Sequence, residues 1–151
     1  METPDAQLES FVDRFDAKNQ KLFRSVRAAV RKRFPTANEL AYDYNHSVVI
    51  AYSPSDRGIE GVVSITLLAE GVRLYFMHGP QLPDPKKLLQ GSAKQVRFIE
   101  LKSANDLENA DVKALIAGAS DLATVSLPST GKGTLIIKSE AAKKKPRVKK
   151  K

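Results

Sequence analysis

The sequence predicts an α+β domain in which helices cover one face of a largely antiparallel, five-stranded sheet. Three observations favour this class. Apolar residues recur at helical spacing near the N-terminus, the apolar period changes to two from Glu39 onward, and a helical stripe returns after Asn109. The connections between these segments are mostly short, which favours packing of neighbours in chain order. The predicted order is helix, five strands, helix, and the second face of the sheet is expected to be open.

The N-terminal helical segment has a recognisable start and end. Thr3 is a good N-cap, Pro4 suits the first helical position, and Pro35 stops the helix. One apolar stripe runs between them, formed by Leu8, Phe11, Phe15, Leu22, Val26, Ala29 and Val30. Asp16 can cap a second segment, so the pattern fits either one helix or two.

The strands follow from period-two alternation and turn residues. They are expected at residues 39–44, 47–52, 63–67, 72–77 and 96–101. Asn109 then caps a last helix. The short apolar run at 134–137 is expected to form either an edge strand or a docked arm. The expected core consists of Leu8, Phe11, Leu22, Val26, Ile65, Leu67, Phe76, Ile99 and Leu115.

Composition and charge divide the chain into three regions. The 151 residues include no cysteine, which excludes disulfides, thiolate metal sites and a thiol nucleophile. The net charge of +8 is concentrated in residues 139–151, which hold seven Lys or Arg and one Glu, so that residues 1–138 carry only +2. We expect a domain at 1–123, an extension at 124–138 and a disordered basic tail at 139–151. The expected location is the cytoplasm, with no membrane association.

The motifs of common catalytic sites are incomplete. Neither the Gly91 loop nor residues 130–134 meet the GxxxxGK[ST] requirement of a phosphate loop, and there is no GxSxG elbow. His46 and His78, the two histidines, lack metal-ligand spacing. The chain also lacks an aromatic RNA-binding signature. The sequence therefore favours a non-catalytic binding module over an enzyme.

Four carboxylates near the N-terminus form a candidate metal site. They recur at helical spacing and share one helix face: Glu2, Asp5, Glu9 and Asp13. Carboxylate oxygens suit hard cations such as iron. The alternative is that acids in the first half of a helix, and bases in the second, simply complement the helix dipole.

Three segments resemble a known family. Phe34-Pro35-Thr36-Ala37-Asn38-Glu39-Leu40-Ala41-Tyr42 and the run from Leu82 to Ile99, together with residues 112–116, are similar to YdhG-like proteins, a domain of unknown function. The resemblance covers roughly residues 8–123, and some members are described as frataxin-like iron chaperones. It implies a helix, five-strand, helix fold, a possible iron cofactor, and importance of the matching positions Pro35, Glu39, Tyr42, Gly91, Lys94 and Arg97. The family commonly has a glycine at the position of Ala93.

These positions suggest a shallow polar pocket. Glu39, Tyr42, Lys94 and Arg97 would hold a small anion or a carboxylate of a partner protein, in a chain that is a monomer or a homodimer. The structural alternative is an ion pair between Arg97 and Glu39. Two other functions stay open: a nucleic-acid or other polyanion binder that acts through the tail, and an enzyme of unknown reaction with a small polar pocket.

The basic tail leads to the first testable prediction. Its cations are Lys143, Lys144, Lys145, Arg147, Lys149, Lys150 and Lys151. The chain should bind RNA or DNA weakly without sequence preference, and deletion of residues 139–151 should abolish this, because each neutralised phosphate releases counterions. The salt slope on duplex DNA should reach at most roughly six, about 0.9 per contact. Titration at several salt concentrations measures it, and affinity that is independent of salt would contradict the prediction.

Overall fold

The computed structural model describes residues 3–93 and 95–139, which form three α-helices and a six-stranded mixed sheet. Helices α1 and α2 come first, five strands follow, and α3 precedes the last strand. The elements are α1 Pro4–Val12, α2 Ala17–Arg33, β1 Asn38–Asp43, β2 Ser47–Ser53, β3 Val63–Leu68, β4 Gly71–Phe76, β5 Arg97–Leu101, α3 Ala110–Leu122 and β6 Leu135–Ser139. None of the helices in this part of the chain combines the length and apolar character that a membrane crossing requires.

The N-terminal segment is two helices, because two caps operate. The Thr3 hydroxyl accepts a hydrogen bond from the Ala6 amide at 3.1 Å, and Pro4 occupies the first turn of α1. The Asp16 carboxylate accepts from the Asn19 amide at 2.8 Å and begins α2. Asp16 has extended backbone angles, which break the helix. Of the two alternatives that the sequence left open, one helix or two, the structure shows two helices.

The sheet has the order β5-β4-β3-β2-β1-β6. Each of the first four strands in the chain pairs antiparallel with the next, as predicted from the short connections. The last strand differs, because β6 runs parallel to β1. The prediction of a five-stranded, largely antiparallel sheet therefore lacks one strand, because β6 is a sixth strand of the sheet and pairs parallel with β1. Of the two alternatives expected for the apolar run at 134–137, an edge strand or a docked arm, the structure shows the edge strand, which spans Leu135–Ser139.

The helices pack on one face of the sheet and enclose the core. Strand β2 shows the division, since Val48, Ile50 and Tyr52 are fully buried beneath the helices while Val49 lies on the other face. The predicted core residues are buried except Leu22, which is half-buried. Phe23 occupies the core in place of Leu22 because the buried stripe of α2 is rotated by one residue, through Asn19, Phe23, Val26 and Val30.

Strand β6 is held against β1 by a close backbone approach. The Glu39 amide donates to the Thr134 carbonyl at 2.8 Å, and the Gly133 amide donates to the Pro35 carbonyl at 3.0 Å. A Cβ atom on Gly133 would overlap the carbonyl group of Ala37. Leu135 then packs against the core. A residue without a side chain is therefore required where the chain joins the sheet.

Replacement of Gly133 by Ala should detach β6. The added methyl group overlaps backbone atoms, which cannot move as a flexible side chain can, so we expect the free energy of unfolding to fall by roughly 1–3 kcal/mol. Chemical denaturation measures this loss, and hydrogen exchange should show reduced protection of the Glu39 amide. Lys132→Ala, which truncates the exposed neighbour, is the control and should change stability by less than about 0.5 kcal/mol. Unchanged protection in Gly133→Ala would contradict this account of β6 docking.

Candidate functional site

Glu39 lies on the helix-covered face and forms a buried ionic cluster. Its side chain is 2% exposed and accepts hydrogen bonds from Arg27 Nε at 2.9 Å, Arg27 Nη2 at 2.8 Å and Arg31 Nη1 at 2.6 Å. The hydroxyl of Tyr52 donates to the same carboxylate at 2.7 Å. Buried carboxylates require such partners. Glu39 therefore joins α2 to β1 and β2, and its oxygens are occupied by protein.

The electrostatics of this cluster favour the ion pair and a neutral tyrosine. The hydrogen bond to Glu39 raises the pKa of Arg27. Burial, followed by the negative charge of Glu39, raises the pKa of Tyr52 well above its ordinary value. Tyr52 therefore stays protonated and donates its hydrogen bond to Glu39, which stabilises the buried carboxylate.

Arg97 lies far from Glu39. It begins β5, whereas Glu39 is in β1, and β4, β3 and β2 separate the two strands, a distance of roughly 19 Å at the usual interstrand spacing. Its guanidinium donates to the carbonyl oxygens of Ala93 and Val96, where it holds the loop before β5. The expected Arg97–Glu39 ion pair is wrong, because the alternation that places both on one face does not place them on adjacent strands.

The predicted polar pocket is therefore not assembled from the residues that the structure describes. Glu39 faces the helices, and Arg97 lies near the far edge of the sheet. Tyr42 shares a strand with Glu39 but points to the opposite face, since the two residues are three positions apart. Lys94 lies outside the described residues.

The carboxylates of α1 face arginines of α2. Glu9 contacts Arg24 at 2.6 Å, Asp13 contacts Arg24 at 3.6 Å, and Asp5 lies 3.8 Å from Arg27. Within residues 3–93 and 95–139, no cluster of three or more His, Asp or Glu could hold a metal ion. Glu2 lies outside this range. The predicted iron site is thus not formed by Asp5, Glu9 and Asp13. The helix break at Asp16 brings α2 back along α1, and the arginines of α2 pair with these carboxylates.

The opposite face of the sheet carries a pair of stacked tyrosines. The rings of Tyr42 and Tyr44 are 5.9 Å apart and nearly parallel, at 4°. Tyr44 is 49% exposed, one of the few large apolar side chains exposed in the described chain. Partial burial raises the pKa of both phenols, so they are neutral at physiological pH. The pair presents an uncharged aromatic surface to solvent.

Two hollows lie beside this tyrosine pair. The first, of about 360 Å³, is lined by Tyr42, Tyr44 and the exposed Ile59, among others. The second, of about 400 Å³, extends across β2, β3 and β4 to Tyr75. Tyr44, Val49 and Ser64 line both hollows, so Tyr44 stands between them. We call the two hollows with their shared tyrosine the aromatic face.

The aromatic face continues toward β5. Tyr75 and Phe98 are cross-strand partners whose ring centroids are 5.1 Å apart. The Arg73 guanidinium lies 4.3 Å above the Phe98 ring and donates to the Tyr75 hydroxyl at 3.2 Å. Glu100 is 3.9 Å from Arg73 at the rim. The face thus has the Tyr42–Tyr44 pair at one end and the Tyr75–Phe98 pair at the other, and the Arg73 guanidinium belongs to the second end.

The sequence indicated only one residue of this face as a candidate site residue. Tyr42 was singled out through its family resemblance, while Tyr44, Tyr75, Phe98 and Arg73 were missed. Alternation in Tyr42/Tyr44 and Arg73/Tyr75 is a usable signal, since each pair lies on one side of its strand. The register of β4 against β3 and β5 is needed to know that the two pairs share a face.

Removal of the Glu39 charge should destabilise the fold. Glu39→Gln leaves two arginines without their carboxylate, one of them 19% exposed, and we expect a loss of about 2–4 kcal/mol in unfolding free energy. Tyr52→Phe removes one hydrogen bond to a charge and should lose about 1–2 kcal/mol. Chemical denaturation measures both losses. Glu100→Gln, at a rim pair, is the control and should change stability by less than about 1 kcal/mol. A Glu39→Gln variant as stable as the control would show that the cluster is not needed.

Comparison with known proteins assigns no family to the chain. No family model, curated protein or solved structure matches it. The similarity to YdhG-like proteins stays a prediction from the quoted motifs, and any functional proposal rests on the geometry of the aromatic face.

Proposed function

We propose that this chain is a non-catalytic binding module that holds single-stranded nucleic acid on the aromatic face. The observation that carries the proposal is the Tyr42–Tyr44 stack on the side of the sheet away from the helices, where the 49% exposed Tyr44 borders two hollows. Flat, half-exposed aromatic rings on an open sheet provide stacking platforms for unpaired bases. A duplex offers no such base faces, so single strands are the preferred ligand.

The size and spacing of the hollows suit bases as occupants. Each hollow is of the order that encloses a small planar ligand, and the two adjoin at Tyr44. Because Tyr42 stacks on one face of the Tyr44 ring, one base can stack on the other face, and a neighbouring base of the same strand can lie in the adjoining hollow. Arg73 and Phe98 extend the surface, because a guanidinium over an aromatic ring can itself stack on a base.

Phosphate contacts come from the basic tail in this proposal. Strand β6 runs parallel to β1 and brings Ser139 beside Tyr42. The sequence beyond Ser139 contains seven Lys or Arg residues and one Glu. In sequence, these cations therefore follow a strand end that lies beside Tyr42. They supply affinity that depends on salt but not on sequence, while the rings supply stacking.

Tyr44→Ala should weaken binding to a single strand of about 12 uridines or thymidines. Loss of a stacking ring costs about 1–3 kcal/mol per base, which corresponds to roughly 5- to 150-fold in affinity. Tyr44→Phe keeps the ring and should bind as the wild type does. Fluorescence anisotropy with a labelled oligonucleotide, at fixed physiological salt, measures these affinities.

The matched controls separate stacking from charge. Val125→Ala truncates an apolar side chain that is 42% exposed and lines neither hollow, so it should leave affinity unchanged. Deletion of residues 140–151 keeps β6 and separates the two models: a tail that acts alone predicts loss of all binding, whereas the aromatic face predicts weaker single-strand binding with a lower salt slope and a persistent Tyr44→Ala effect. If Tyr44→Ala binds as the wild type does, or if a duplex of the same length binds as tightly as the single strand, stacking on the sheet is excluded and the tail alone accounts for binding.

A further inference from the structure

A separate cavity lies on the helix-covered side of the sheet, between α2 and α3. Its volume is about 380 Å³. Val63 and Leu74 of the sheet form its floor, Val30 of α2 and Ile116 of α3 form its walls, and Leu107 closes one end. These five side chains are apolar and at most 6% exposed, so the base of the cavity is apolar, and the cavity opens to solvent at its other side.

Small residues at the mouth leave this space open. Ala29 on α2 and Ala117 on α3 face the cavity where longer side chains would have filled the gap between the helices. Protein interiors rarely contain voids much larger than a water molecule. A space of 380 Å³ is within the size range of ligand sites. The gap opens to solvent and is therefore a surface pocket of ligand size rather than a void inside the core.

The charges at the mouth favour an anion. Arg33, Lys113 and Glu108 surround the opening. Lys113 Nζ is 3.0 Å from Glu108 Oε1, so these two charges offset each other. None of the ion pairs found among the described residues includes Arg33, whose guanidinium lies 4.8 Å above the Phe34 ring. The mouth thus carries one net positive charge, on a planar group suited to bind a carboxylate through two hydrogen bonds.

We propose that this cavity binds an amphipathic monocarboxylate, with the apolar body between α2 and α3 and the carboxylate on Arg33. The volume corresponds to a ligand of about a dozen non-hydrogen atoms, at roughly 30 Å³ for each water-sized group. A straight-chain fatty acid of medium length has this size and chemistry. The site is distinct from the aromatic face, and neither proposal depends on the other.

Calorimetric titration of the full chain with decanoate, below its micelle concentration, tests the site. Decanoate should bind saturably with one ligand per chain, and decanol, which has the same chain without the charge, should bind about 10- to 100-fold more weakly. Arg33→Gln should lower decanoate affinity by a similar factor and leave decanol binding unchanged. Arg57→Gln, which removes an exposed guanidinium elsewhere, is the matched control.

A bulky substitution in the cavity and amide NMR shifts show where the ligand binds. Ala117→Phe places a ring at the exposed mouth of the cavity and should abolish binding of both ligands. If that variant does not fold, amide NMR shifts of the wild type decide the location. Decanoate should perturb Val30, Leu107 and Ile116 and leave Tyr44 and Val49 unaffected. Lack of saturation, equal affinity for decanol, or shifts confined to the aromatic face would each overturn the proposal.

Discussion

The buried carboxylate of Glu39 is the interaction on which the arrangement of this domain depends. It accepts hydrogen bonds from two arginines of α2 and from the Tyr52 hydroxyl of β2. These bonds fix which side chains of β1 point toward the helices. A shift of one residue in β1 would turn Glu39 to solvent and leave the arginines unpaired. Because successive side chains alternate, the same constraint directs Tyr42 to the opposite face. The amide of Glu39 also holds β6, through the Thr134 carbonyl.

A second ionic contact positions Tyr44. Asp43 is buried on the helix side, where it accepts from Arg14 Nη2 at 2.5 Å and from the Asn45 amide at 2.9 Å. Asn45 adopts a positive φ of 71°, which asparagine tolerates better than most residues, and Arg14 also donates to its side chain at 3.0 Å. The turn after β1 is thus held from the helix layer. The ring of Tyr44 stacks on Tyr42 as a consequence of contacts made on the other side of the sheet.

The two faces of the sheet have different chemistry for this reason. The helix side concentrates charge in partnered clusters and leaves one apolar cavity whose mouth carries Arg33. The other side bears aromatic rings and few charged groups. The Arg73 guanidinium on this side lies over one of the rings. Charged groups paired inside a domain stabilise or position elements, whereas exposed rings remain available for a ligand. Glu39 and Arg97 belong to the sequence motifs that resemble a known family. In the structure, Glu39 joins β1 to α2 and Arg97 holds the loop before β5.

The sequence by itself determined the elements of this protein. Caps and the alternation of apolar residues are local properties, and they predicted a helical N-terminal segment, α3, the five antiparallel strands and most of the core, while Asp16 left open whether that segment is one helix or two. Local patterns also predicted an apolar run at the position of β6 but not its direction, which depends on where the chain arrives after α3. Which residues meet across the sheet was decided by tertiary structure alone. Strand order separates Glu39 from Arg97, register joins Tyr75 to Phe98, and the helix break brings α2 arginines onto the α1 carboxylates. These contacts join residues far apart in sequence, and alternation specifies the side of a strand but never its neighbour.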